Sequence, residues 1–98
     1  MGFAAVFTYQ VDPGVASAFE SVYGPDGEWA QFFQGAAGYE RTELLRSEAR
    51  YLVIDRWRSA AAYDAFVGTH SDEYRRRNDA AAGLYRHEEF LGRFQSAA

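Results

Sequence analysis

The stretch Arg50-Tyr51-Leu52-Val53-Ile54-Asp55-Arg56-Trp57-Arg58 constrains this chain more than any other. It is β-branched and aromatic and has no helical period, so it reads as a strand. Side chains alternate across a strand, so Tyr51, Val53 and Trp57 point one way and Leu52 and Ile54 the other. Both faces are apolar. A strand of that kind belongs in a sheet covered on both sides.

The neighbouring segments supply one cover. Phe3 to Val11 is another strand candidate, with Phe3, Phe7 and Tyr9 opposing Val6 and Thr8. Asp12-Pro13-Gly14 starts a helix, Asp12 as N-cap and Pro13 at the first helical position. Val15, Phe19 and Val22 then form one apolar stripe. Gly24-Pro25-Asp26-Gly27 interrupts it. Helix resumes near Glu28 with Trp29, Phe32, Phe33 and Ala36 on one side, and Gly35 and Gly38 suit left-handed caps at its end. Tyr39 to Ser47 reads as a strand, turning at Ser47-Glu48-Ala49. Ser59 caps a helix through Val67, Gly68-Thr69-His70 interrupts it, and Ser71 caps a further helix to about Ala82, which Gly83 ends. Tyr85 to Gln95 is the last strand.

The order is β-α-β-β-α-β, an α+β ferredoxin-like arrangement: a four-stranded antiparallel sheet with helices on one face. Helices cover one face, and a second copy of the chain most simply covers the other. A homodimer built sheet to sheet is expected.

At 98 residues the chain is read as a single domain, residues 1–98. It is 17% aromatic and 48% hydrophobic, so either the core is dense or a partner subunit or pocket takes up the surplus. The net charge of −4 disfavours a nucleic-acid partner. No apolar run approaches the ~20 residues of a membrane span. No basic segment precedes an apolar one at the N-terminus, and there is no cysteine, so the expected compartment is the cytoplasm. All ten basic residues are arginine, which with abundant alanine suggests a GC-rich bacterial genome. Arg75-Arg76-Arg77 spreads around a helix beside Asp72, Glu73 and Asp79, so it reads as a solvated end; one of the three could turn inward. The two histidines, His70 and His87, have no metal-site spacing.

The segment Tyr51 to Ser59, followed by Ala62-Tyr63 and Phe66, resembles the antibiotic biosynthesis monooxygenase-like family, as do the Pro13-Gly14 helix start and the Gly38-Tyr39 strand start. The resemblance implies a dimeric α+β barrel over nearly the whole chain. In one branch it implies a cofactor-free monooxygenase that oxidises aromatic polyketides. That branch places Trp, Tyr, Asn and Arg around its cavity. Trp57 and Tyr63 match the first two, Arg77 falls near the last, and the Asn position is Val53. A haem-degrading branch would need other residues at Phe7, Phe66 and Arg76 to Asn78, so haem handling is disfavoured.

Each candidate has two readings. Trp57 is a stacking wall for a planar substrate, or a core residue whose N–H finds an internal acceptor. Asp55, on the same face, is a general base or the partner of an arginine such as Arg41 or Arg77. Tyr63 donates to a substrate oxygen or is a half-buried helix residue. His70 takes a proton or is a surface residue. Trp29 and Phe33, four apart past the helix break, line the mouth of an apolar pocket or plug the core. With Phe7, Phe66 and Arg77 they complete the expected substrate-binding set. The functional expectation is a small cofactor-independent monooxygenase acting on a phenolic aromatic. The alternative is a non-catalytic dimeric module binding a hydrophobic metabolite or a partner protein.

Overall fold

The computed structural model describes residues 2–97. Strands β1 (Phe3–Gln10), β2 (Tyr39–Ser47), β3 (Arg50–Trp57) and β4 (His87–Gln95) form one sheet in the order β2-β3-β1-β4. Every neighbouring pair is antiparallel. Between β1 and β2 lie a 3₁₀ turn (Pro13–Val15), α1 (Ala16–Tyr23) and α2 (Glu28–Phe33). Between β3 and β4 lie α3 (Ala60–Thr69), α4 (Ser71–Ala81) and a 3₁₀ turn (Ala82–Leu84). This is the ferredoxin-like α+β fold, with each helical segment in two pieces.

The helix breaks and caps have local causes. At Gly27 an added Cβ would lie 2.7 Å from the Val22 carbonyl oxygen, so only glycine lets the chain double back against α1 before α2 begins. Ser59 caps α3 as its position suggests, its hydroxyl accepting from the Ala62 N–H at 3.1 Å. Three expectations need correction. Asp12 makes no cap bond; its carboxylate pairs instead with Arg86 at 3.0 Å. Ser71 is the first residue of α4, the cap position is His70, and no side chain caps that end. The α2 segment ends at Phe33, short of Ala36, before Gly35 and Gly38 take φ of 92° and 91°.

Strand alternation sorts the side chains. Tyr51, Val53, Asp55 and Trp57 of β3 are all buried against the helices, with Phe3, Ala5 and Tyr9 of β1 beside them. Aromatic rings knit the layers: Phe19 on Tyr51 at 4.8 Å, and Phe33 edge-on to Trp57 at 5.4 Å. On the opposite face Val6, Leu52 and Ile54 are half-buried. Leu45, paired with Leu52, is 54% exposed, and Phe94, paired with Ala4, is 52% exposed. A bulge between Val6 and Phe7 leaves Leu91 unpaired in the β1–β4 ladder. No described helix is long and apolar enough to cross a membrane.

Candidate active site

Among the described residues Asp55 is the one buried carboxylate, 7% exposed beside Val53 and Phe33. The β2–β3 register sets it opposite Thr42, which is itself buried. The Thr42 hydroxyl donates to Asp55 Oδ1 at 2.7 Å, and Tyr39 Oη lies 2.9 Å from Thr42 Oγ1. With the Thr42 proton committed to Asp55, Tyr39 is the donor in that second bond. The arginines that could have paired with Asp55 are engaged elsewhere: Arg41 with Glu43, and Arg77 with Glu73. Burial pushes the Asp55 carboxyl up to about 6, and the Thr42 hydrogen bond pulls it back only in part. A carboxylate poised near neutrality is suited to general-base work.

Asp55 opens onto a cavity between sheet and helices. Phe7 and Val53 wall it from the sheet, Trp29 and Phe33 from α2, and Tyr74 and Asn78 from α4. At its far end Tyr9 donates to Glu88 Oε2 at 2.7 Å. The cavity measures about 20 Å³, room for about one water. Burial holds the Tyr74 and Tyr9 hydroxyls well above the usual tyrosine range, so both remain donors at any physiological pH. Burial raises Tyr63 likewise, against the opposing pull of the Tyr74 hydroxyl.

Asp55, Phe7, Trp29 and Phe33 thus share one cavity. Trp57 and Tyr63 border it without lining it. Trp57 is fully buried in a ring of Phe33, Tyr39, Tyr63 and Phe66, and its Nε1 has no hydrogen-bond partner among the described residues. Tyr63 lies 5.5 Å from both Phe3 and Trp57, ring to ring. Phe66 and His70 stand apart. The exposed His70 ring stacks on Phe66 at 4.3 Å, its Nδ1 3.0 Å from the Phe66 carbonyl oxygen, along a shallow depression between α2 and α3. Arg77 donates Nε to Glu73 at 2.8 Å, lies over the Phe32 ring at 4.6 Å, and lines an outer groove with Val22, Trp29 and Leu84.

Five cavity residues escaped the sequence reading of the site: Tyr9, Tyr23, Tyr74, Asn78 and Glu88. Tyr74 and Asn78 are spaced i, i+4 and so share a helix face, a signal hidden by the arginine run between them. Among the described residues no cluster of three potential metal ligands occurs.

The fold has close counterparts among solved structures. SnoaB, a cofactor-independent oxygenase from Streptomyces nogalater, superposes with a TM-score of 0.79 at 23% identity, over 99% of this chain and 94% of that one. Rv0793 from Mycobacterium tuberculosis gives 0.68 at 17% identity with both chains fully covered. A conserved protein from Methanosarcina mazei gives 0.74 at 11% identity, over 97% of this chain and 92% of that one. No curated protein matches in sequence. The sequence model of the family described as antibiotic biosynthesis monooxygenase matches residues 2–80, and the chain belongs to that family.

Proposed function

We propose that the protein is a cofactor-independent monooxygenase acting on a planar phenolic aromatic of the anthrone type. The observation that carries this reading is Asp55: a buried carboxylate without a cationic partner among the described residues, raised toward neutrality, on an aromatic-walled cavity. Asp55 removes an acidic proton from the substrate, and the delocalised carbanion reduces oxygen directly. The ring CH₂ becomes C=O. One oxygen atom enters the product, the other leaves as water with the two hydrogens, and no outside reductant is consumed. Tyr74 on the cavity wall is a hydroxyl donor for the developing anion, with Tyr63 behind the wall, and Phe7, Trp29 and Phe33 exclude water, which strengthens that contact. The similarity of fold to SnoaB agrees with this chemistry. His70, Phe66 and Arg77 lie outside the cavity, so their support is confined to approach and packing.

A second copy of the chain covers the outer sheet face in this reading, in the cytoplasm. The exposed Leu45, Leu91 and Phe94 support it. The alternative is a binding module without turnover, favoured by Val53 on the cavity wall where the family's oxygenase branch carries an amide.

An oxygen electrode separates the two. With 1,8-dihydroxyanthrone and no added metal or cofactor, the oxygenase consumes one oxygen per quinone formed and releases no hydrogen peroxide. Saturable binding with no uptake above the buffer rate would leave the binding module instead.

A further inference from the structure

The cavity at Asp55 is far too small for the substrate it is proposed to serve. A hollow of about 150 Å³ is needed for benzene alone, and this one offers about 20 Å³. The outer groove between the α1–α2 corner and α4 measures about 200 Å³, with Val22, Ala80, Ala81 and Leu84 as its apolar walls. Groove and cavity have one residue in common. Trp29 lines both, so its indole is the partition between them. The larger depression walled by Phe66 and His70 shares no residue with the cavity and offers no such passage.

The position of Trp29 suits a moving part. It stands in the first turn of a six-residue helix, directly after the Gly24-to-Gly27 break. Its contacts are ring faces and edges: Tyr74 at 5.0 Å, Phe33 at 5.8 Å, Phe32 at 5.9 Å and Tyr23 at 6.3 Å. Moving the indole aside joins 200 Å³ to 20 Å³ and frees the space of the ring system itself. The sum nears the ~300 Å³ lower bound of ordinary ligand pockets.

We propose that Trp29 is the door of the site and sets the size of ligand it admits: a planar phenol of two or three fused rings enters from the groove, passes Trp29, and presents its acidic edge to Asp55 while its outer ring rests against Val22 and Leu84. The proposal rests on the reading of Asp55 as the reacting end of the site. It assigns Trp29 a gating role distinct from that of a core residue.

The test uses 2-naphthol as probe. Stopped-flow fluorescence measures its association with the wild type and with Trp29→Ala, and carbon-13 NMR follows the Asp55 carboxyl titration in both. Association at least tenfold faster in the variant is expected, with the Asp55 midpoint lowered as water reaches it. Equal association rates with an unmoved midpoint, or no binding of 2-naphthol by either protein, would overturn the door. Should the alanine variant fail to fold, Trp29→Phe decides: a faster association supports the door and an unchanged one overturns it. Turnover is not read. A gated probe without oxygen uptake therefore rejects the oxygenase reading alone, and uptake with unaltered gating rejects the door alone.

Discussion

Thr42 and Asp55 face each other across the β2–β3 ladder, and the Thr42 hydroxyl donates to Asp55 Oδ1 at 2.7 Å. That bond fixes the carboxyl rotamer and leaves Oδ2 without a protein partner among the described residues. The carboxylate is held by a neutral donor instead of a cation, so it keeps the basicity that an arginine would have removed.

The first consequence is a stability cost that grows with pH. The folded Asp55 carboxyl sits at about 6 against an ordinary 3.8, so the folded state binds this proton more tightly than the unfolded state does. The stability so contributed is complete below about pH 4 and is lost as pH rises through 6. At pH 8 the ionised group costs roughly 3 kcal/mol. Asp55→Asn, neutral at every pH, is expected to be more stable than the wild type in urea melts at pH 8 and equal to it at pH 3.5.

Trp57 carries a buried N–H with no partner, a polar group whose removal relieves a desolvation penalty of about 1–3 kcal/mol. Trp57→Phe loses ring volume in the same stroke, at a similar cost. The two offset, and a net change within about 1 kcal/mol is expected from urea unfolding. Trp57→Ala loses the packing against Phe33, Tyr39, Tyr63 and Phe66 as well and is expected to cost about 3–5 kcal/mol.

Gly38 combines φ of 91° with a close approach: an added Cβ would meet Ala62 Cβ at 2.6 Å. Its carbonyl also accepts from the Arg58 N–H at 2.6 Å, tying the start of β2 to the end of β3. Gly38→Ala is expected to lower stability by more than about 1 kcal/mol, seen as a drop in Tm of several degrees. Gly35→Ala, with the same sign of φ but open space around it, is expected to lose less.

On the outer face of the sheet, Leu91 and Phe94 stand exposed near the half-buried Val6. If a second copy covers this face, Leu91→Glu buries an unpaired charge at the junction and dissociates the pair. Light scattering is expected to give twice the chain mass for the wild type and a single chain mass for the variant. A wild type of single chain mass at all concentrations would refute the dimer.

Much of the fold was legible in the chain because its signals are local. The Gly24-Pro25 break, the Ser59 cap and the alternation of Tyr51 to Trp57 each act within a few residues. The site was less so, because its groups meet through register and helix docking. Thr42 reaches Asp55 because the turn sets Ser47 opposite Arg50 and the ladder runs in step from there, a register that a turn one residue longer would have changed. An arginine therefore looked the better partner for Asp55. His70 sits at a helix junction, where loop position suggested chemistry; docking of α3 turned it outward onto Phe66. Asn78 and Tyr74 enter the cavity through the rotation of α4 about its axis, which charge patterning along Arg75 to Arg77 obscured.

The most direct test of Asp55 as the base is the pH profile of oxygen uptake with 1,8-dihydroxyanthrone, in the wild type and in Asp55→Asn. Uptake in the wild type is expected to rise through a midpoint near 6 and to fall by at least about 100-fold in the variant. Equal uptake by the two proteins across the range, or a wild-type rate no faster than autoxidation, would contradict it.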